Sequence, residues 1–112
     1  MSVESSRWLT VPDLVDILGL SPGKIHRLLE ERHLLAVRRD GVVVVPEEFL
    51  LDGEPVHGLP GTLTLLADAG FSDDEAMEWM LAPHDQLDGS PTGALRAGRK
   101  AEVRRIAQAE AF

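Results

Sequence analysis

A chain of 112 residues in which 44% of the side chains are apolar is large enough for one small domain, and too apolar for a disordered tail. It contains no cysteine and no run of about 18 apolar residues, which excludes disulfides, thiolate metal sites and a membrane-spanning helix. Its net charge of −8 argues against non-specific binding to nucleic acid, because phosphates repel an anionic protein.

The charges are distributed unevenly along the chain. Residues 24–39 carry five basic side chains against two acidic ones, whereas residues 52–88 carry nine acidic side chains and neither Lys nor Arg. Residues 89–112 are basic again. The local field around residues 24–39 is therefore expected to decide binding in a nucleic-acid groove more than the net charge does. The alternative, that these runs are ordinary solvated helix faces, stays open.

The first predicted elements are two short helices joined by a corner of three residues. Thr10 is a predicted N-cap, and Gly19 is expected to end the helix that follows it. Ser21 and Pro22 form a second cap, which opens a helix through roughly Arg32. Two helices separated by so short a corner are typical of a helix-turn-helix.

A β-hairpin is predicted directly after this helix pair. Residues 34–38 and 42–46 are β-prone, and Asp40-Gly41 between them is a strong signal for a tight hairpin turn. A short helix or turn is expected to follow and to carry Phe49 into the core. Because an isolated hairpin is marginally stable, the pattern favours a wing that packs on the helices.

The second half of the chain reads as a helical subdomain behind a connector at residues 51–59. Helices are predicted over residues 60–69, between a capping box at Ser72 and Pro83, over residues 91–97 and over residues 99–111. The predicted fold class is therefore mainly α with a small β-hairpin wing. Residues 1–51 would form a winged helix-turn-helix module, and residues 59–112 a C-terminal helical subdomain packed on it.

Short stretches of the first half carry a resemblance to known DNA-binding domains. In TVP at residues 10–12, LGLS at 18–21, KI at 24–25 and LAVRR at 35–39, the chain resembles the helix-turn-helix of excisionase and MerR-type domains. Through HLLAVRRDGVVVVP, GLPGTLTLLADAG and AEVRRIAQAEAF it is similar to a family of small actinobacterial winged helix-turn-helix proteins. This resemblance implies sequence-dependent DNA binding and transcriptional regulation.

The second half has a looser resemblance of its own, over about 30 residues, to the toxin-binding domain of some antitoxins. It rests on Trp79, Leu81, Pro83, Leu87, Gly89, Pro91, Leu95, Gly98 and Val103. These residue types also fill hydrophobic cores and occur in loops, and this structural explanation of their presence is favoured. The resemblance nevertheless implies that this half mediates protein contacts or dimerisation.

The candidate DNA-binding residues are Ser21, Gly23, Lys24, His26, Arg27, Arg38 and Arg39. Long donor-rich side chains near the start of the second helix suit base edges in a major groove, and small residues there allow a phosphate to approach the free amides. The wing arginines could bind phosphates or enter a minor groove. If about five cations neutralise phosphates, log affinity should fall against log salt with a slope of about −4 to −5. Alternatively, Arg27 pairs with Glu30 or Glu31, and the wing arginines only keep an edge soluble.

Nothing in the sequence favours an enzyme. The four histidines have no metal-ligand spacing, Gly58 to Gly61 lacks the pattern of a phosphate-binding loop, and no serine lies in a nucleophile elbow. We therefore predict no catalytic residue, no metal and no cofactor. The N-terminus shows no export signal, and the absence of cysteine suits a reducing compartment, so a cytoplasmic protein without membrane contact is expected.

Three further expectations concern partners and control, and a fourth concerns Trp8. A homodimer is expected because one small module makes few base contacts. The main alternative function is an antitoxin-type or adaptor module that binds a protein through the C-terminal helices. A third hypothesis is phosphorylation of Ser5, Ser6 or Thr10, which would add negative charge near the basic module. Trp8, just before the first helix, is expected to pack against it as a staple.

Overall fold

The computed structural model describes residues 7–111, which form six α-helices and five short strands. The helices are α1 (Val11–Leu18), α2 (Pro22–Glu30), α3 (Leu59–Asp68), α4 (Asp73–Leu81), α5 (Pro91–Arg96) and α6 (Lys100–Ala109). The strands are β1 (Trp8–Leu9), β2 (Val37–Arg39), β3 (Val42–Pro46), β4 (Leu50–Leu51) and β5 (Glu54–Pro55), with a 3-10 turn (Glu47–Phe49) before β4. The predicted class, mainly helical with a hairpin wing, is confirmed.

The start and end of α1 are as predicted. Thr10 and Asp13 form a capping box, in which the Asp13 amide donates to the Thr10 hydroxyl at 3.4 Å and the Thr10 amide donates to the Asp13 carboxylate at 3.0 Å. The hydrogen bond from the Thr10 amide holds the pKa of Asp13 below its ordinary value. Gly19 ends the helix with φ of 69° and donates its amide to the Val15 carbonyl.

Helix α2 starts at the predicted Ser21 cap, but it ends at Glu30 and does not reach Arg32. Arg32 has φ of 59°, and its amide donates to Leu29 at 3.2 Å while the His33 amide donates to Leu28 at 2.9 Å. This pair of hydrogen bonds is a Schellman motif, which ordinarily uses glycine at the left-handed position. Because arginine occupies that position here, the sequence lacks the glycine that usually marks the end of a helix.

The wing is a three-stranded antiparallel sheet in the order β1-β3-β2. β1, which the sequence did not predict, pairs Trp8 with Pro46 and Leu9 with Val45. A strand of two residues is too short to show the alternation by which strands are recognised in a sequence. Trp8 thus lies in a strand beside β3 and is half-buried against the core, and its packing on α1 as a staple stays a prediction.

The predicted first strand of the wing was too long. β2 begins at Val37, whereas Leu34 and Leu35 lie outside any strand and are buried. Their apolar side chains form part of the core, so burial, and not pairing, explains their hydrophobicity. The connector predicted at residues 51–59 also contains structure, since β4 and β5 form a second hairpin closed by Asp52-Gly53.

One hydrophobic core joins the two halves of the described chain. It includes Leu14 and Ile25 from the helix pair, Phe49 from the 3-10 turn, and Leu63 and Val103 from the C-terminal helices. Phe49 is fully buried, as the sequence predicted. The module carrying the helix pair and the wing is therefore held in place by packing against the helices that follow it.

Polar contacts reinforce this junction. The Arg96 guanidinium of α5 donates to the backbone carbonyls of Glu48 and Leu50, on the other side of the junction. Inside the C-terminal helices, the buried Thr92 hydroxyl donates to the Met80 carbonyl at 2.7 Å. Within residues 7–111 no helix is both long enough and apolar enough to cross a bilayer.

Candidate nucleic-acid interface

The outward face of α2 carries the first group of candidate side chains. Ile25 faces inward and is fully buried, and Leu28 and Leu29 are half-buried against the core. The two cations of this face, Lys24 and Arg27, are exposed, as is His26. The inward apolar positions thus orient α2 so that its donor-rich residues face solvent.

The beginning of α2 is built from small residues. The Ser21 hydroxyl accepts a hydrogen bond from the Lys24 amide at 3.3 Å, and Gly23 in the first turn is exposed. A Cβ added at Gly23 would contact only the Ser21 Oγ, at 4.0 Å. This end of the helix is therefore open to a phosphate, and the positive end of the helix dipole favours one there.

The tip of the wing presents the second group of candidates. Asp40 and Gly41 have φ of 54° and 78°, which is typical of a type I′ turn, and this turn places Arg38 opposite Val43 and Arg39 opposite Val42. Both arginines are exposed. The Arg38 guanidinium donates to the Gly41 carbonyl at 3.2 Å, which holds it against its own hairpin. All seven candidate residues are accordingly exposed.

Arg39 lies over an aromatic ring. Its guanidinium carbon is 4.6 Å from the centre of the Trp8 ring, within the range of a cation–π contact. Arginine can stack on an aromatic face in this way and still donate along its edges. Trp8 therefore restricts the conformations of Arg39. Sequence reasoning missed this supporting role because it depends on the pairing of β1 with β3.

Arg32 is the basic residue of the stretch from Lys24 to Arg39 that is already ion-paired. Its guanidinium donates to the Asp73 carboxylate at 2.6 Å, at the start of α4. No other basic residue of the stretch from Lys24 to Arg39 forms an ion pair within the described chain, so the alternative in which Arg27 pairs with Glu30 or Glu31 does not hold in this structure. Lys24, Arg27, Arg38 and Arg39 stay available to an anion.

One flank of the wing is acidic. Asp73 and Asp74 of α4 line a shallow depression together with Val37 and Arg38 of β2. Two residues of the acidic run at 52–88 therefore lie against the wing, and they limit the surface on which a phosphate backbone could lie. A phosphate backbone would be repelled from this flank of the wing.

The residues proposed for phosphorylation divide into two groups. Thr10 belongs to the capping box of α1, so a phosphate there would remove an N-cap as well as add charge. Ser5 and Ser6 lie outside the described residues. The hypothesis of phosphorylation control stays a prediction.

The residues behind the antitoxin resemblance serve mainly as core. Leu87, Leu95 and Val103 are buried, and the half-buried Trp79 donates its indole N–H to the Glu110 carboxylate at 2.9 Å. These contacts explain the residue types without a bound protein. Across residues 7–111, no group of three or more His, Asp or Glu side chains is arranged to hold a metal ion.

Comparison with known proteins gives concordant results for both halves. The family model described as "DNA-binding protein Rv2175c, wHTH domain" matches residues 3–50, and "Rv2175c C-terminal domain of unknown function" matches residues 56–111. The DNA-binding protein Rv2175c of Mycobacterium tuberculosis is 41% identical over 115 residues, which span 91% of this chain and 79% of that protein.

A solved structure shows the same fold. The NMR structure of Rv2175c matches with a TM-score of 0.88 at 36% identity, covering 96% of this chain and 83% of that chain. The expected membership of an actinobacterial winged helix-turn-helix family is thereby confirmed. The chain belongs to the Rv2175c family of DNA-binding proteins, in which a winged helix-turn-helix domain is followed by a C-terminal domain of unknown function.

Proposed function

We propose that this protein binds duplex DNA in a sequence-dependent manner and acts as a transcriptional regulator. The observation that carries the proposal is the exposure of four permanent cations, Lys24, Arg27, Arg38 and Arg39, on a recognition helix and a wing. None of them is neutralised by a carboxylate of the described chain. The name of the 41% identical relative, a DNA-binding protein, supports the same function.

In this proposal α2 enters the major groove. Lys24 and Arg27 donate to guanine acceptors or to phosphates, and His26, on the other side of Arg27, contacts a base edge. The exposed amides at Ser21 and Gly23 bind a backbone phosphate and set the depth of the helix. Specificity then depends on α2, because contacts to phosphates position a protein without reading the bases.

In the same proposal the wing binds the phosphate backbone of the DNA next to the major groove. Arg38 and Arg39 leave the hairpin next to its turn, where guanidinium groups can each bind a phosphate through two donors. Stacking on Trp8 reduces the conformational entropy that Arg39 loses on binding. We also propose that the protein is not an enzyme, that it requires no cofactor and that it acts in the cytoplasm.

Salt dependence tests the proposal. Four permanent cations should give a log–log slope of about −3.6 for each bound chain, or about a 100-fold loss of affinity per chain between ~0.05 M and ~0.2 M salt. Selection of genomic fragments at these two salt concentrations, followed by fluorescence anisotropy on the selected site and a scrambled duplex, measures slope and specificity together. Equal affinity for both duplexes at every salt concentration would contradict sequence-dependent binding.

A homodimer completes the proposed DNA reader. A symmetric dimer doubles the base contacts of a module that offers only one short recognition helix. Sedimentation of the protein with its selected duplex is expected to give two chains per site. A single chain per duplex, at protein concentrations well above the Kd, would remove the dimer from the proposal and leave DNA binding untouched.

The alternative function is an antitoxin-type or adaptor module whose C-terminal helices bind a protein. Under this alternative, substitutions between Trp79 and Leu87 would abolish partner capture, whereas removal of the wing cations would leave it unchanged. The burial of Leu87 and the indole hydrogen bond of Trp79 favour a structural role for this segment, so DNA binding stands as the leading proposal.

A further inference from the structure

A second basic surface lies in the C-terminal domain, to which the family description assigns no function. It is a cavity of about 350 Å³ between the start of α3 and the outer face of α6, here called the α3–α6 cavity. Its charged lining consists of Lys100, Arg104 and Arg105, and no Asp or Glu contributes to it. The chain contains 19 acidic residues against 11 Lys and Arg, yet no acidic residue lines this cavity.

The three cations of the α3–α6 cavity differ from their neighbours on the same helices. Arg96 is held by two backbone carbonyls, and Arg99 is paired with Glu102 at 2.8 Å. By contrast, Lys100, Arg104 and Arg105 are exposed and form no ion pair with any carboxylate of residues 7–111. Their spacing along α6 puts Lys100 and Arg104 one turn apart on one face, with Arg105 beside them.

Glycines bring the two helices together at this cavity. A Cβ at Gly58 would lie 2.9 Å from the Cβ of Lys100 and 3.0 Å from Leu95, so only glycine allows this approach. A Cβ at Gly61, in the first turn of α3, would lie 3.6 Å from an Nη atom of Arg104. The Arg104 guanidinium therefore sits over the start of α3.

Cations at the starts of two helices form an electrostatically unfavourable arrangement, which a bound anion would offset. The start of a helix carries the positive end of its dipole, and a cation there is repelled. Lys100 is likewise the first residue of α6. Neither α3 nor α6 has a side-chain cap, whereas Thr10, Ser21, Ser72 and Ser90 cap the other four described helices. The helix ends add to the field of the three cations, which are the main feature of the cavity.

We propose that the α3–α6 cavity binds a small phosphate-bearing molecule. Two guanidinium groups and one ammonium group carry three positive charges, enough to neutralise a phosphate monoester dianion, and arginine forks suit its tetrahedral oxygens. The concave shape and the volume suit a small molecule better than the backbone of a duplex, which lies on open surfaces. The site is independent of α2 and the wing, so it stands even if the proposed DNA-binding surface does not.

The test uses the full chain, labelled with ¹⁵N and titrated at constant ionic strength with inorganic phosphate and, separately, with AMP. Saturable shifts of the amide signals of Gly61, Thr62 and Ala101 are expected with either probe. Arg104→Gln combined with Arg105→Gln should raise the Kd at least about tenfold. The matched control is Arg27→Gln with Arg38→Gln, which changes the net charge equally and should leave the Kd within about twofold.

A second pair of variants places an anion inside the cavity. Gly61→Glu provides a carboxylate beside Arg104 and the start of α3, whereas Gly61→Gln adds nearly the same volume without charge. The Glu variant is expected to melt at a higher temperature than the Gln variant and to lose phosphate binding, while the Gln variant retains more of it. These opposite directions distinguish an anion site from a general effect of folding.

Three results would overturn the proposal. The first is the absence of saturable shifts with both probes. The second is an equal loss of phosphate binding in the two double variants, which would indicate a net-charge effect. The third is that a short duplex, but neither phosphate nor AMP, shifts these amides, which would make the cavity a contact for the DNA backbone. Saturation by AMP but not by inorganic phosphate would instead support the proposal and assign the site to a nucleotide.

Discussion

Replacing Arg38 and Arg39 together by alanine is expected to weaken binding to the selected duplex by about 100-fold, because each charge-assisted contact is worth ~1.5 kcal/mol. The magnitude of the log–log salt slope should decrease by about two for each bound chain, from about 3.6 toward about 1.8, since each chain loses two phosphate contacts. Fluorescence anisotropy at several salt concentrations measures both quantities. The slope is the sharper readout, because it counts contacts and is insensitive to the choice of sequence.

The control for this experiment removes the same charge elsewhere. Arg104→Ala with Arg105→Ala also lowers the net charge by two, but it changes α6 and leaves the wing intact. This variant should bind DNA with nearly the affinity and slope of the parent. If the two double variants lose affinity equally, the wing has no specific role. Near-UV circular dichroism checks that both variants are folded. Only the variant that lacks Arg39 should show a change in the signal of Trp8.

Replacing Phe49 by alanine is expected to lower the free energy of unfolding by about 3–5 kcal/mol, as is usual for a buried aromatic ring. Phe49 is fully buried in the core shared by the two halves. For a small domain this loss is a large part of the total stability. Urea unfolding followed by far-UV circular dichroism measures the loss.

The matched control is Leu51→Ala, two residues along the chain, where the side chain is 39% exposed. Its effect should stay within about 1 kcal/mol. Because one core spans both halves, each protein should unfold in a single transition that is the same by fluorescence and by circular dichroism. Two separate transitions would show that the halves fold independently. A loss below about 1 kcal/mol for the Phe49 variant would contradict the expected contribution of its ring to the core.

Local signals explain why so much of the fold was predictable. Thr10, Ser21, Ser72 and Ser90 each cap a helix through their own side chain, and Asp40-Gly41 dictates its turn through its backbone preferences. These effects operate over three or four residues, so the sequence carries them in full. The exposure of the candidate residues followed from the same logic, since the inward positions of α2 determine the outward ones.

Tertiary contacts account for what the sequence did not show. β1 exists because Trp8 and Leu9 pair with β3, which lies more than thirty residues away. The ion pair of Arg32 depends on the packing of α4 against β2, which brings Asp73 within 2.6 Å. Neither contact produces a pattern that could be recognised in a short stretch of the sequence. The α3–α6 cavity was missed for the same reason, because its cations and its glycines come from different helices.

The stacking of Arg39 on Trp8 gives the protein an optical reporter of its own. The chain has only two tryptophans, and the other, Trp79, belongs to α4 and hydrogen-bonds to Glu110. A phosphate that binds the stacked Arg39 guanidinium changes the charge above that indole and hence the wavelength of its emission. Binding of an anion at the wing can thus be followed by tryptophan fluorescence in the unlabelled protein.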